Sequence, residues 1–282
     1  MVRTRAQERA EASSAQKQVK AEEHVPPKEL VAEKKHMQKP KKRTKKHEIP
    51  EAERRLEATK PLSEAARKDI QQLLTEQGSF PLQEIGFSFP LSSSSATVLA
   101  LLFEALLKAA PISHKTADET LKELLKHGYE DINVLKNSSW DERSDVLIEG
   151  GYRHYYKKTS SELGELAEWA MDKYNGDLNN LYKQTAGSRA EIRTAIKHIK
   201  GIGDVAVDIF LSSIQSFWPE VAPFIAERSL VTADHIGIGK DVEAIYEAVG
   251  RDPKQMCMLA RALTKIRLEK EEAGYTVHES GK

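Results

Sequence analysis

The chain has 282 residues, 39% hydrophobic and 30% charged, a balance that fits one globular domain joined to a solvated segment. A single cysteine, Cys257, excludes an intramolecular disulfide and a four-cysteine iron–sulfur cluster, and no apolar run reaches the roughly 18 residues of a membrane span. The formal net charge of zero hides an asymmetry: residues 1–60 carry 17 Lys and Arg against 10 Glu and no Asp, or +7, leaving −7 for the rest.

Residues 1–60 hold few large apolar side chains, and Pro26, Pro27, Pro40 and Pro50 interrupt any helix. They are expected to form a disordered basic tail. Within it Lys41, Lys42, Arg43, Lys45 and Lys46 follow Pro40 as a dense cluster, of the kind that serves as a nuclear localisation signal or clasps phosphates. A plain solvated charge run is the alternative. With no secretory h-region at the N-terminus, the expected location is intracellular, and nuclear in a eukaryote.

Residues 61–282 read as one all-α domain. Leu62, Ala66, Ile70, Leu73 and Leu74 share a face, which predicts a helix over 62–77 stopped by Gly78. Residues 79–95 are expected to be loop. The stretch 96–109 is apolar nearly all round and should be the buried central helix, ended by Pro111. Further helices are predicted over 116–126, 140–149 (capped by Ser138 or Ser139) and 161–174. Beyond these lie 190–199 and 205–214, then 225–233, 242–249 and a last helix opened by Pro253 and running to 272. No run alternates at strand length.

Two stretches carry candidate chemistry. In Ile199-Lys200-Gly201-Ile202-Gly203, the two glycines allow a tight turn and leave backbone amides bare. A helix that begins just after such a turn presents its positive dipole end, which suits a phosphate. A plain helix–helix turn is the alternative. Upstream, Arg153, His154, Tyr155, Tyr156, Lys157 and Lys158 mix cations with aromatic rings, a combination that contacts phosphates and stacks on bases. Here the alternative is an exposed turn whose tyrosines pack inward. The nine histidines show no H-x-E or H-E-x-x-H spacing, so no metal site is predicted.

The hairpin core over 190–237 also carries a resemblance. The turn at 199–203, followed by Asp208-Ile209-Phe210-Leu211 and then Phe217-Trp218-Pro219, resembles the core of the helix-hairpin-helix DNA glycosylase superfamily, the endonuclease III-like group. The glycine–tyrosine run around Gly150, Gly151 and Tyr152 is similar to the family's entry into its next helix. The resemblance covers roughly residues 96–237. It implies an all-helical glycosylase-like fold, duplex DNA as partner and a base-excision-repair context, with Lys200, Gly201, Ile202, Gly203, Arg153, Tyr155 and Lys157 as DNA contacts.

The family's catalytic letters are replaced. Val205 stands at its lysine position and Ala226 at its aspartate position, so the Schiff-base route lacks its amine. Glu227 is the candidate displaced carboxylate, with a solvated helix residue as the alternative. Asp204 is expected to lie beside Lys200 and keep it protonated. The main expectation is a DNA-binding protein without that catalysis. An active monofunctional glycosylase and a non-catalytic protein-interaction scaffold are the competing ones.

Overall fold

The computed structural model describes residues 60–86 and 92–272. The predicted tail, with its basic cluster at Lys41, Lys42, Arg43, Lys45 and Lys46, lies outside the described residues apart from Lys60. Among those residues the fold is all-α: twelve α-helices, two single-turn 3₁₀ segments and no strand.

The helices are α1 (Glu64–Gln77), α2 (Ser95–Lys108), α3 (His114–Lys126), α4 (Ile132–Asn137), α5 (Trp140–Glu149) and α6 (Tyr156–Tyr174). They continue as α7 (Asn179–Thr185), α8 (Arg189–Ile196), α9 (Asp204–Ile214), α10 (Glu227–His235), α11 (Val242–Ala248) and α12 (Pro253–Glu272). Side-chain caps explain several starts. Ser63 Oγ accepts from Ala66 N, Ser113 Oγ from Thr116 N, and Ser139 forms a full capping box with Glu142, satisfying amides that a first turn leaves unpaired. Ser139, rather than Ser138, is thus the cap of α5.

Some boundaries depart from the predicted ones. Helix α6 begins at Tyr156, five residues before the apolar period sets in, so Lys157 and Lys158 lie in its first turn. Helix α8 ends at Ile196, and the chain closes the turn through Ile199 N to Ile196 O at 3.0 Å and Ile202 N to Ile199 O at 3.1 Å. The predicted loop over 79–95 contains a 3₁₀ turn, Gln83–Ile85. Helices α4 and α7, of 6 and 7 residues, were not expected from the pattern. Neither completes two turns, which is too short for a 3.6-residue period to register.

Two apolar clusters form the interior. The larger runs through α2, α3, α5, α6, α8 and α9 and contains Leu101, Phe103, Leu124, Leu147, Leu163, Phe210 and Trp218. Helix α2 is its centre, with Thr97 to Leu107 buried, and packs along α9. The smaller cluster joins α1, α10, α11 and α12 through Ile70, Leu230, Ile245, Leu259 and Leu263. Helix α12 packs on α1, α10 and α9 and so borders both.

A charged cluster is buried where α2 meets α12. Glu104 Oε1, 2% exposed as a residue, lies 2.9 Å from Lys108 Nζ and 3.1 Å from Arg261 Nη1. Lys108 also reaches Asp118 on α3, and Arg261 reaches Glu84 at 3.5 Å and Ser213 Oγ at 3.4 Å. Burial opposes the charge on Glu104, but Arg261 and Lys108 outweigh it and hold the carboxyl at about 2. Burial likewise opposes the charge on Arg261, and Glu104 more than restores it.

Candidate nucleic-acid interface

The turn between α8 and α9 is held from beneath. Ile199 and Ile202 are buried, whereas Lys200, Gly201 and Gly203 between and after them are exposed. The alternation pins the backbone and leaves its outer edge in water. Gly201 has φ +85°, a region that costs a side chain about 1 kcal/mol or more. Gly203 has φ −99°, caps α9 and has open space where a Cβ would stand. No side chain caps α9, so its first-turn amides face outward at the positive end of an 11-residue helix.

The elements that flank this turn are far from it in sequence. Helix α6 runs alongside. The Glu162 carboxylate fills the space a Cβ on Gly201 would occupy, and Glu165 Oε1 pairs with Lys200 Nζ at 2.8 Å. The hydrogen bond to Glu165 raises the Lys200 pKa. Asp204, expected beside Lys200, instead takes Lys197 Nζ at 2.9 Å and Arg193 Nη1 at 3.2 Å, and Arg193 also pairs with Asp208. The Lys197 hydrogen bond leads in holding Asp204 below the usual carboxylate range. Lys197, Lys200 and Arg193 therefore each face a carboxylate. Exposed pairs of this kind contribute only about 0.2–1 kcal/mol, so an incoming phosphate can exchange with them.

Glu162 is the unusual member. It is 3% exposed, and its Oε1 has no hydrogen-bond partner. Lys158 Nζ stands 3.3 Å from that oxygen without hydrogen-bond geometry, and Thr159 Oγ1 offers only a 3.4 Å contact to Oε2. Sequence reading missed both Glu162 and Glu165. Their only local signal is an acidic i, i+3 spacing on a helix, which is common on solvated faces.

The basic and aromatic stretch leads into the same helix. Arg153, His154 and Lys157 are exposed, and Tyr155 and Tyr156 are half-buried. The Tyr155 ring packs 6.1 Å from Tyr152, and Lys157 Nζ lies 5.8 Å above the Tyr156 ring. The tyrosines thus pack partly inward, and the cations stay in water. From Lys157 to Glu165 is eight residues of helix, about 12 Å along the axis, so the stretch and the glycine turn are joined by one rigid element.

The catalytic candidates are less favourably placed. Val205 is 46% exposed in the first turn of α9. Ala226 is the N-cap of α10 and has no side-chain oxygen to offer, while Glu227 follows it as an exposed first-turn residue. Gln215, fully buried, clamps the approach to α10 by donating to Phe224 O at 2.8 Å and accepting from Phe224 N at 2.9 Å. Trp218 is a packed corner: it is 1% exposed, stacks 5.2 Å from Tyr182 and donates to Asn179 Oδ1. Burial pushes the Cys257 thiol up to about 12, which leaves it inert as a nucleophile.

No protein-family model and no curated protein sequence matches this chain.

Proposed function

We propose that this chain is a DNA-binding protein with a helix-hairpin-helix DNA glycosylase-like fold, acting in a base-excision-repair context without the family's lysine chemistry. The observation that carries the reading is the turn at 199–203. Two buried isoleucines hold an exposed glycine-rich backbone against the uncapped N-terminus of α9, an arrangement suited to a phosphate of duplex DNA. Lys200, Arg153 and Lys157 would add charge along the same edge, and the basic tail would add non-specific affinity. The tail's basic cluster would direct the protein to a nucleus.

Gly203→Asp separates binding from folding. An aspartate at an N-cap accepts from first-turn amides, so the thermal midpoint should hold or rise slightly. The same carboxylate occupies the phosphate's position, and duplex affinity should fall about tenfold, the equivalent of losing one charge-assisted bond. Fluorescence anisotropy with a labelled duplex and a thermal melt measure the two. Undiminished affinity in the folded variant would leave the turn as a structural connection only.

Borohydride reduction over abasic-site duplexes should trap no protein–DNA adduct. Val205 supplies no amine, and Glu165 stabilises the protonated form of Lys200, whereas imine formation needs the free base. A band that disappears in Lys200→Ala would show that the nucleophile has moved.

A second reading, a protein-interaction scaffold, is favoured by the pairing of Lys197, Lys200 and Arg193 with carboxylates and by the −7 charge beyond residue 60. An active monofunctional glycosylase would rest on Glu227. A base-release assay over damaged duplexes separates it from both others.

A further inference from the structure

We propose that Glu123, His127 and Glu149, none of them a residue assigned to DNA contact above, form a binding site for a divalent cation of the zinc class. One ligand atom from each residue lies within 4.8 Å of the others. Around a tetrahedral ion with bonds of about 2.0–2.2 Å, neighbouring ligand atoms stand about 3.4 Å apart. Small rotations of the glutamate side chains cover that difference. His127 Nε2 and Glu149 Oε2 are 3.8 Å apart, already close to such an edge and too long for a hydrogen bond.

The imidazole is oriented for the task. His127 Nδ1 lies 2.9 Å from the backbone oxygen of Glu123, and a carbonyl only accepts, so Nδ1 carries the hydrogen. In the neutral ring Nε2 then presents its lone pair, the arrangement commonly seen for a ligating histidine.

The backbone adds a field of the right sign. His127 is the C-cap of α3 and Glu149 the last residue of α5, so two helix C-termini, each carrying partial negative charge, converge on the site. Their relative position is fixed by close contact: Thr120 Oγ1 donates to Gly150 O at 2.9 Å, and a Cβ on Gly150 would overlap Thr120. The competing partner is Lys126, whose Nζ is 2.9 Å from Glu123 Oε2. That pair joins an exposed lysine to a half-buried glutamate within one turn of α3, a weak attachment that a divalent ion can displace. His127 and Glu149 also border a groove of about 550 Å³ with Tyr129, Val134, Glu142 and Asp145. The groove gives an ion access, and its further carboxylates raise the local cation concentration. The histidine spacings inspected in sequence miss this site because Glu149 joins it only through the α3–α5 contact.

The test is calorimetric titration of Zn²⁺ into the metal-stripped full chain, repeated with Co²⁺ to read ligand-field absorption. The expected result is one site with a visible Co²⁺ spectrum. Loss even of a residue behind a ligand commonly costs 10–100-fold in affinity. His127→Ala and Glu149→Gln should therefore each weaken the site by at least about tenfold, and His154→Ala should leave it unchanged. Circular dichroism checks that each variant is folded, and Glu149→Gln decides the matter if His127→Ala is not. Binding that is absent, or that survives undiminished in both variants and so belongs to other histidines, overturns the proposal.

Discussion

Arg261→Ala is expected to destabilise the fold by about 3–5 kcal/mol, the usual cost of stranding one member of a buried ion pair. Arg261 pairs with Glu104, and it ties α12 to α2, to the 3₁₀ turn through Glu84, and to Ser213 at the end of α9. Its removal deprives Glu104 of one of its two paired cations, leaving Lys108, in a setting where burial already opposes the charge. The effect should reach both apolar clusters, because α12 borders each. Urea unfolding measures it, and a loss under about 1 kcal/mol would mean the cluster is solvated. Combining Glu104→Leu with Arg261→Met removes both charges at similar volume and should recover much of the loss, as apolar replacement of buried ion pairs commonly does.

The same cluster sets an acid limit. The Glu104 carboxyl is held at about 2, against an ordinary 4.5. A depressed folded-state pKa contributes stability that is fully present above the unfolded value and is lost as pH falls through the folded one. The Glu104 contribution should therefore fade between about pH 4.5 and pH 2, and Glu104→Leu/Arg261→Met should show a shallower acid transition.

Gly201→Ala should cost about 1–3 kcal/mol, whereas Gly203→Ala, which loses only the N-cap preference for glycine, should cost under about 1 kcal/mol. The two glycines look alike in sequence and differ in both respects that matter. Gly201 has φ +85° and the Glu162 carboxylate in the place of its Cβ, while Gly203 is extended with open space around it. Glu162 is the end of a flexible side chain, but it is buried, so its carboxylate must move from its place against the turn to admit a Cβ. Gly201→Ala/Glu162→Ala relieves the overlap and keeps the backbone strain, so the two substitutions should couple by at least about 0.5 kcal/mol. Equal costs at the two glycines, or strict additivity in the double variant, would contradict the packing of α6 against the turn.

What was readable from the amino acids was what depends on near neighbours. The apolar period located α1 and α9, and the encirclement of 96–109 by apolar side chains marked α2 as central, since a helix apolar all round has no wet face to offer. Gly201 and Gly203 marked the turn, and the Ser138-Ser139 pair and Pro253 marked helix starts, because caps and turns act over three or four residues. The same short range explains the early start of α6 and the unpredicted α4 and α7.

The pairings that give these elements their properties belong to tertiary structure. Glu104 meets Arg261 across 157 residues, Lys200 meets Glu165 across 35, and Glu149 reaches His127 through the contact of Gly150 with Thr120. A helix turns about 100° per residue, so a shift of one position changes which side chain faces its neighbour. Helical spacing shows that Glu162 and Glu165 share a face of α6. That this face lies under the glycine turn was decided only when α6 came to lie alongside the connection between α8 and α9.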